Sequence, residues 1–156
     1  MIHLAVLGST RGTDLQAIID AVATGTLSAS IAIVISNKED AYILERAKNH
    51  NLNSLFLDQN GWSRVEYDKK LSEALKQYTP DLILLIGWMK ILSREFVHEW
   101  RGKIWNVHQA VLDVHETVTG CTIHEVDEGV DSGKIILQKK CIVEPNDTAD
   151  TLKAKV

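Results

Sequence analysis

The stretch SIAIVIS, Ser30–Ser36, is apolar at nearly every position and rich in β-branched residues. A strand with one face in water alternates apolar and polar residues, whereas a strand buried on both faces reads as a continuous apolar run. SIAIVIS is of the second kind, and the segments around it repeat the pattern. HLAVL (His3–Leu7) is a buried strand, and LQAIIDAVA, capped by Asp14, is a helix with Leu15, Ile18, Ile19 and Val22 on one face. Downstream come a helix AYILERAKNH, a short strand SLFL (Ser54–Leu57), and an amphipathic helix RVEYDKKLSEALKQY begun by Ser63 and stopped before Pro80. Then follow a strand DLILLIG, a helix SREFVHEW capped by Ser93, and a strand KIWNV. Such alternation predicts an α/β domain, a parallel sheet covered by helices. The later strands CTIHEV and KIILQKKCIV are separated only by a turn-rich loop, so they are expected to run antiparallel to each other.

The 156 residues suffice for one domain with a real core. A net charge of −4 argues against a nucleic-acid partner. The longest apolar run, LILLIGWMKIL, is broken by Gly87 and Lys90, so no membrane span is expected. The start MIHLAVLG lacks the charged region and cleavage site of a signal peptide. Cys121 and Cys141 read as buried free thiols, and the expected location is the cytoplasm.

Open α/β sheets bind ligands beyond the carboxyl ends of their strands. Candidate chemistry is therefore sought after Leu7, Ile86, Val107 and Val126. GSTRGTDLQ (Gly8–Gln16) has glycines flanking a tight turn into a helix, a setting for an anion, but neither dinucleotide nor P-loop spacing. It reads equally as an ordinary βα turn or as a monophosphate site. In GWMKILS, Trp88, Met89, Ile91 and Leu92 are apolar where a loop is normally polar, which suits either core packing or an aromatic ligand. Asn106 and His108, two apart on a strand, face the same way, and VDEGVDSG brings Asp127, Glu128 and Asp131 from another loop. An amide, an imidazole and a carboxylate are the parts of an acyl-transfer site: oxyanion donors, a proton shuttle and its orienting partner. His50, His98 and His115 read as surface residues. No nucleophile elbow or metal-ligand spacing is present, so direct transfer between two bound substrates without a metal is expected.

AVLGSTRGTDLQAIIDA, SNKEDAYILERA, GWMKILSREFV, NVH and TGCTIHEVDEGVDSGKIILQ occur in the order seen in folate-dependent formyltransferases, and over essentially the whole chain. The sequence resembles that family, and its first motif resembles the phosphoribosylglycinamide branch. The resemblance implies an open, Rossmann-like sheet, mostly parallel, with helices on both faces and an antiparallel strand late in the chain. It implies formyl transfer from 10-formyltetrahydrofolate, as co-substrate, to the amine of 5-phosphoribosylglycinamide in purine synthesis. The backbone of Gly12, Thr13 and Asp14 would hold the phosphate. Met89, Lys90, Ile91 and Leu92, with Asn106 and the loop Asp127, Glu128, Gly129 and Val130, would hold the pterin, and Arg64 would lie near the folate. Asn106, His108 and Asp131 would carry the chemistry. The implied partners are small molecules only, in a monomer or homodimer.

The chain departs from the family after His108. There the family has a Pro-Ser-Leu-Leu-Pro stretch and a glycine-containing loop, whereas NVH here runs directly into QAVLD. His108 aligns either with the family's strand-end histidine or with the histidine that opens its next helix. Eleven residues separate His108 from Gly120, tight for a crossover, and the resumption of register beyond favours a missing loop over a real shortening. The domain is thus expected to lack this loop and a C-terminal helix. Glu125 and Lys134 stand where an apolar residue and a proline are usual.

Overall fold

A computed structural model describes residues 1–109, 118–129, 132–148 and 151–152. The elements run β1 (Ile2–Leu7), α1 (Thr13–Ala23), β2 (Ala29–Ser36), α2 (Tyr42–Asn49), β3 (Ser54–Phe56), α3 (Arg64–Lys76), β4 (Leu82–Ile86), α4 (Arg94–Glu99), β5 (Ile104–Gln109), β6 (Val118–Glu125) and β7 (Ile135–Ile142). They form one sheet in the order β3-β2-β1-β4-β5-β6-β7. β1 to β5 pair in parallel, while β6 is antiparallel to both β5 and β7. The expected α/β sheet with one antiparallel strand late in the chain is the sheet observed.

The doubly apolar strands have a direct cause. Ala5 and Leu7 of β1 join Ile33, Ile35, Ile83, Leu85 and Ile104 in a core under α3 and α4. Leu4 and Val6 join Val34, Leu84 and Ile86 in a second core under α1 and α2. Alternate residues of each strand thus feed opposite layers, and neither face meets water.

Four expectations are corrected. Asp14 does not cap α1: the N-cap is Gly12, at φ 65°, and Asp14 stands in the first turn, where its carboxylate faces the positive end of the helix dipole. The strand expected to end at Val107 continues to Gln109, because β6 pairs with it as far as Gln109↔Cys121. The short connection after His108 is no obstacle, since β6 returns antiparallel and needs no crossover. Cys121 and Cys141 are free thiols, as expected, but half-buried rather than buried, on the outer strands β6 and β7.

Ser63 and Ser93 do cap their helices. Ser63 and Glu66 form a reciprocal capping box at α3, and the Ser93 hydroxyl accepts from the Phe96 N–H at α4. No described helix is long and apolar enough to cross a membrane.

Candidate active site

The site grows from the register of β5. Asn106 lies between Leu85 of β4 and His124 of β6, and His108 is opposite Thr122. Ile104 is buried against α3 and α4, so Asn106 and His108, two and four residues on, project to the same face. β4 ends at Ile86, level with Val107, which leaves His108 exposed beyond the covered core.

Asn106 is held by a residue the sequence did not single out. Its Nδ2 lies 3.2 Å from His124 Nε2, and His124 Nδ1 lies 3.1 Å from the Glu125 carbonyl oxygen. A carbonyl can only accept, so Nδ1 donates and Nε2 accepts from the Asn106 amide. The bond leaves the second Asn106 N–H to serve a ligand. His124 is 5% exposed. His50 and His98 are exposed, as expected, and His115 lies outside the described residues.

The segment after β4 supplies one wall. Gly87, at φ 60°, turns the chain out of the strand, with Thr10 packed where a Cβ would stand. Trp88 and Leu92 pack against the core, whereas Met89 and Ile91 are 69% and 60% exposed. The Lys90 ammonium sits 4.1 Å from the Tyr67 ring centroid. At the far end the Ser93 N–H donates to Asp68 Oδ2 at 2.5 Å, which pins the segment to α3. Asp68 is 1% exposed, and its Oδ1 has no hydrogen-bond partner among the described residues. Burial raises its carboxyl above the usual range, against the Ser93 bonds and the Lys90 and Arg64 charges, which pull it down.

The loop after β6 supplies the other wall. Asp127 Oδ1 accepts from Ser132 Oγ at 2.7 Å and from the Gly129 N–H at 2.9 Å. The Ser132 bond above all holds its carboxyl below the ordinary range.

Together these groups enclose a cleft of about 310 Å³, lined by Met89, Lys90, Ile91, Leu92, Asn106, His108, Asp127, Glu128 and Gly129. Trp88 and His124 line it too. A second cleft, of about 420 Å³, shares the 126–129 strip and is lined by Arg101, Glu125 and Lys134. It contains neither Asn106 nor His108, and it gives the otherwise unexpected Glu125 and Lys134 a place.

Other predicted residues stand apart. Gly12, Thr13 and Asp14 form the turn into α1, outside the lining of the cleft, although the Asp14 carboxylate bears on Cys121 and, after burial, helps raise that thiol. Arg64 opens α3 and does not line the cleft. Val130 and Asp131 lie outside the described residues. Among the described residues no three His, Cys, Asp or Glu side chains are grouped as a metal site requires.

An open α/β sheet with an amide–imidazole pair in a half-apolar cleft defines a group-transfer domain. The profile of the Formyl transferase family matches residues 2–156, and the chain belongs to that family. It is 39% identical to the phosphoribosylglycinamide formyltransferase of Haemophilus influenzae, over 99% of this chain and 80% of the relative. It is also 39% identical to the human trifunctional purine biosynthetic protein adenosine-3, over 99% of this chain and 17% of that protein. Glycinamide ribonucleotide transformylase 1 from Symbiobacterium toebii superposes with a TM-score of 0.90 at 36% identity, covering 99% of this chain and 79% of that one. The alignment to the Haemophilus protein spans 169 positions against 156 residues here, so part of that relative has no counterpart within the matched span.

Proposed function

We propose that this chain transfers the formyl group of 10-formyltetrahydrofolate to the amine of 5-phosphoribosylglycinamide. The observation that carries the reading is the convergence of Met89–Leu92 and Asp127–Gly129 on the Asn106/His108 pair in one cleft. The apolar segment and its backbone suit a pterin ring, and the turn at Gly12 suits a phosphate. The substrate amine attacks the formyl carbon, and charge gathers on the formyl oxygen. The free Asn106 N–H and protonated His108 stabilise that oxyanion. As the C–N bond to the folate breaks, His108 gives its proton to the departing folate nitrogen, and the neutral ring then takes the proton lost by the attacking amine. In this scheme Asp131 orients His108, and Arg64 and Val130 contact the folate. Both substrates are small molecules, and the setting is the cytoplasm.

His108→Ala is expected to lower turnover by about 10²–10⁴ while the chain still folds and binds both substrates. Near-normal turnover in the variant would overturn the role of His108. The longer matched span of the Haemophilus relative supports a second reading, a chain that holds both ligands without turnover. The unaltered protein decides it: binding of both substrates with no product formed favours the second reading.

A further inference from the structure

Ser9 stands between the two loops to which the proposed function assigns the two substrates. It is 3% exposed. Its hydroxyl donates to Asn37 Oδ1 at 2.6 Å and accepts from the Met89 N–H at 3.0 Å. Its own N–H donates to the Gly87 carbonyl at 3.1 Å. Asn37, itself 5% exposed, uses its Nδ2 to donate to Gln59 Oε1 at 3.1 Å, so its oxygen is the atom left for Ser9. The hydroxyl's proton is thereby committed to Asn37 and its lone pairs face Met89.

The same loop is tied on its other flank. The Gly8 N–H donates to the Ile35 carbonyl, the Thr10 carbonyl accepts from the Ile43 N–H at 3.2 Å, and the Arg11 carbonyl accepts from Arg46 Nε at 2.9 Å. Residues 8–12 are thus tied to β2 and α2 on one side, and their one side-chain bond to the segment after β4 among the described residues is the Ser9 hydroxyl to Met89.

We infer that Ser9 is a positioning residue that couples ribonucleotide binding to folate binding. A phosphate that orders the Gly12 turn fixes residues 8–12, and with them the oxygen that holds the Met89 backbone at the mouth of the cleft. The folate then meets a segment already ordered and loses less conformational freedom on binding. By linkage the folate favours the ribonucleotide by the same factor. The inference rests on the assignment of phosphate to the Gly12 turn and folate to Met89–Leu92.

The test is calorimetry on the full chain with 5-phosphoribosylglycinamide and a folate analogue carrying carbon in place of the position-10 nitrogen, which cannot release a formyl group. Each ligand is titrated alone and against protein saturated with the other. The unaltered protein is expected to show coupling of at least about fivefold. Ser9→Ala is expected to bring it below about twofold with each ligand still bound, and Ser9→Thr, which keeps the hydroxyl, to restore it. Should Ser9→Ala fail to fold, Asn37→Ala removes the partner that orients the hydroxyl and carries the same expectation. Coupling unchanged in the variants, or absent from the unaltered protein while both ligands bind, overturns the inference alone. Failure of the unaltered protein to bind one of the ligands overturns the substrate assignment and the inference with it.

Discussion

Asp68 and His124 are the two residues whose importance is least visible along the chain. Asp68 occupies one position of an amphipathic helix pattern, and only the folded structure turns it inward to hold the Ser93 N–H. His124 lies mid-strand, eighteen residues from Asn106, and only the β5–β6 register makes them neighbours. By contrast, Asn106 and His108 were legible because their two-residue spacing is a local property of any strand. The buried Asp68 carboxyl, raised above its ordinary 3.8, keeps its proton in the native state at pH values where the unfolded chain has lost it. Its contribution is therefore complete below 3.8 and is lost as pH rises through the raised native value. Asp68→Asn mimics the protonated form and can still accept from Ser93. Melts from pH 4 to 8 are expected to show the variant matching the parent at the acid end and exceeding it toward neutrality. A parent that gains on the variant with rising pH would mean that the Lys90 and Arg64 charges outweigh burial. For His124 the readout is kinetic. His124→Ala frees the Asn106 amide, so turnover should fall roughly tenfold to a hundredfold with folate affinity retained, as steady-state rates and a binding titration would show.

At the scale of the element, strands and helices were read correctly where their apolar period was long, and their ends were read less well. Asp14 has the composition of a cap, but a glycine two residues earlier takes that position in a left-handed conformation, φ 65°, that glycine adopts without strain. β5 was read short because Asn106 and His108 are polar, a pattern that marks a strand end unless a neighbour such as β6 extends the ladder. Gly12 also has a packing reason. A Cβ there would run into the Ile43 side chain, and φ 65° is itself costly for other residues, by about 1–2 kcal/mol. Gly12→Ala should therefore lower the urea midpoint with the slope unchanged and weaken phosphate binding as well. A loss of affinity with no loss of stability would show that the glycine serves only the ligand.

For the whole molecule, the α/β class followed from doubly apolar strands and the antiparallel β6–β7 pair from the turn-rich loop between them, but the antiparallel pairing of β6 with β5 did not follow, because strand direction leaves little trace in composition. That pairing places β7 at the outer edge, in a row where Ile135, Leu137 and Ile142 are largely exposed. The opposite edge, β3, is only three residues long. An edge of eight residues with free backbone groups is a template for another chain. Lys139 and Lys140 interrupt it at the centre and, being adjacent on a strand, set one ammonium on each face. Two molecules meeting edge to edge would bring like charges together on both sides of the new ladder. Replacing both lysines with threonine keeps the strand and removes that repulsion. Static light scattering at rising concentration is expected to show the variant aggregating where the parent stays dispersed, and equal scattering would assign the lysines no such role. The pair thus acts as a solubility guard: β6's reversal, which completes the cleft from one side, exposes on the other an edge that needs charge to keep copies of the protein apart.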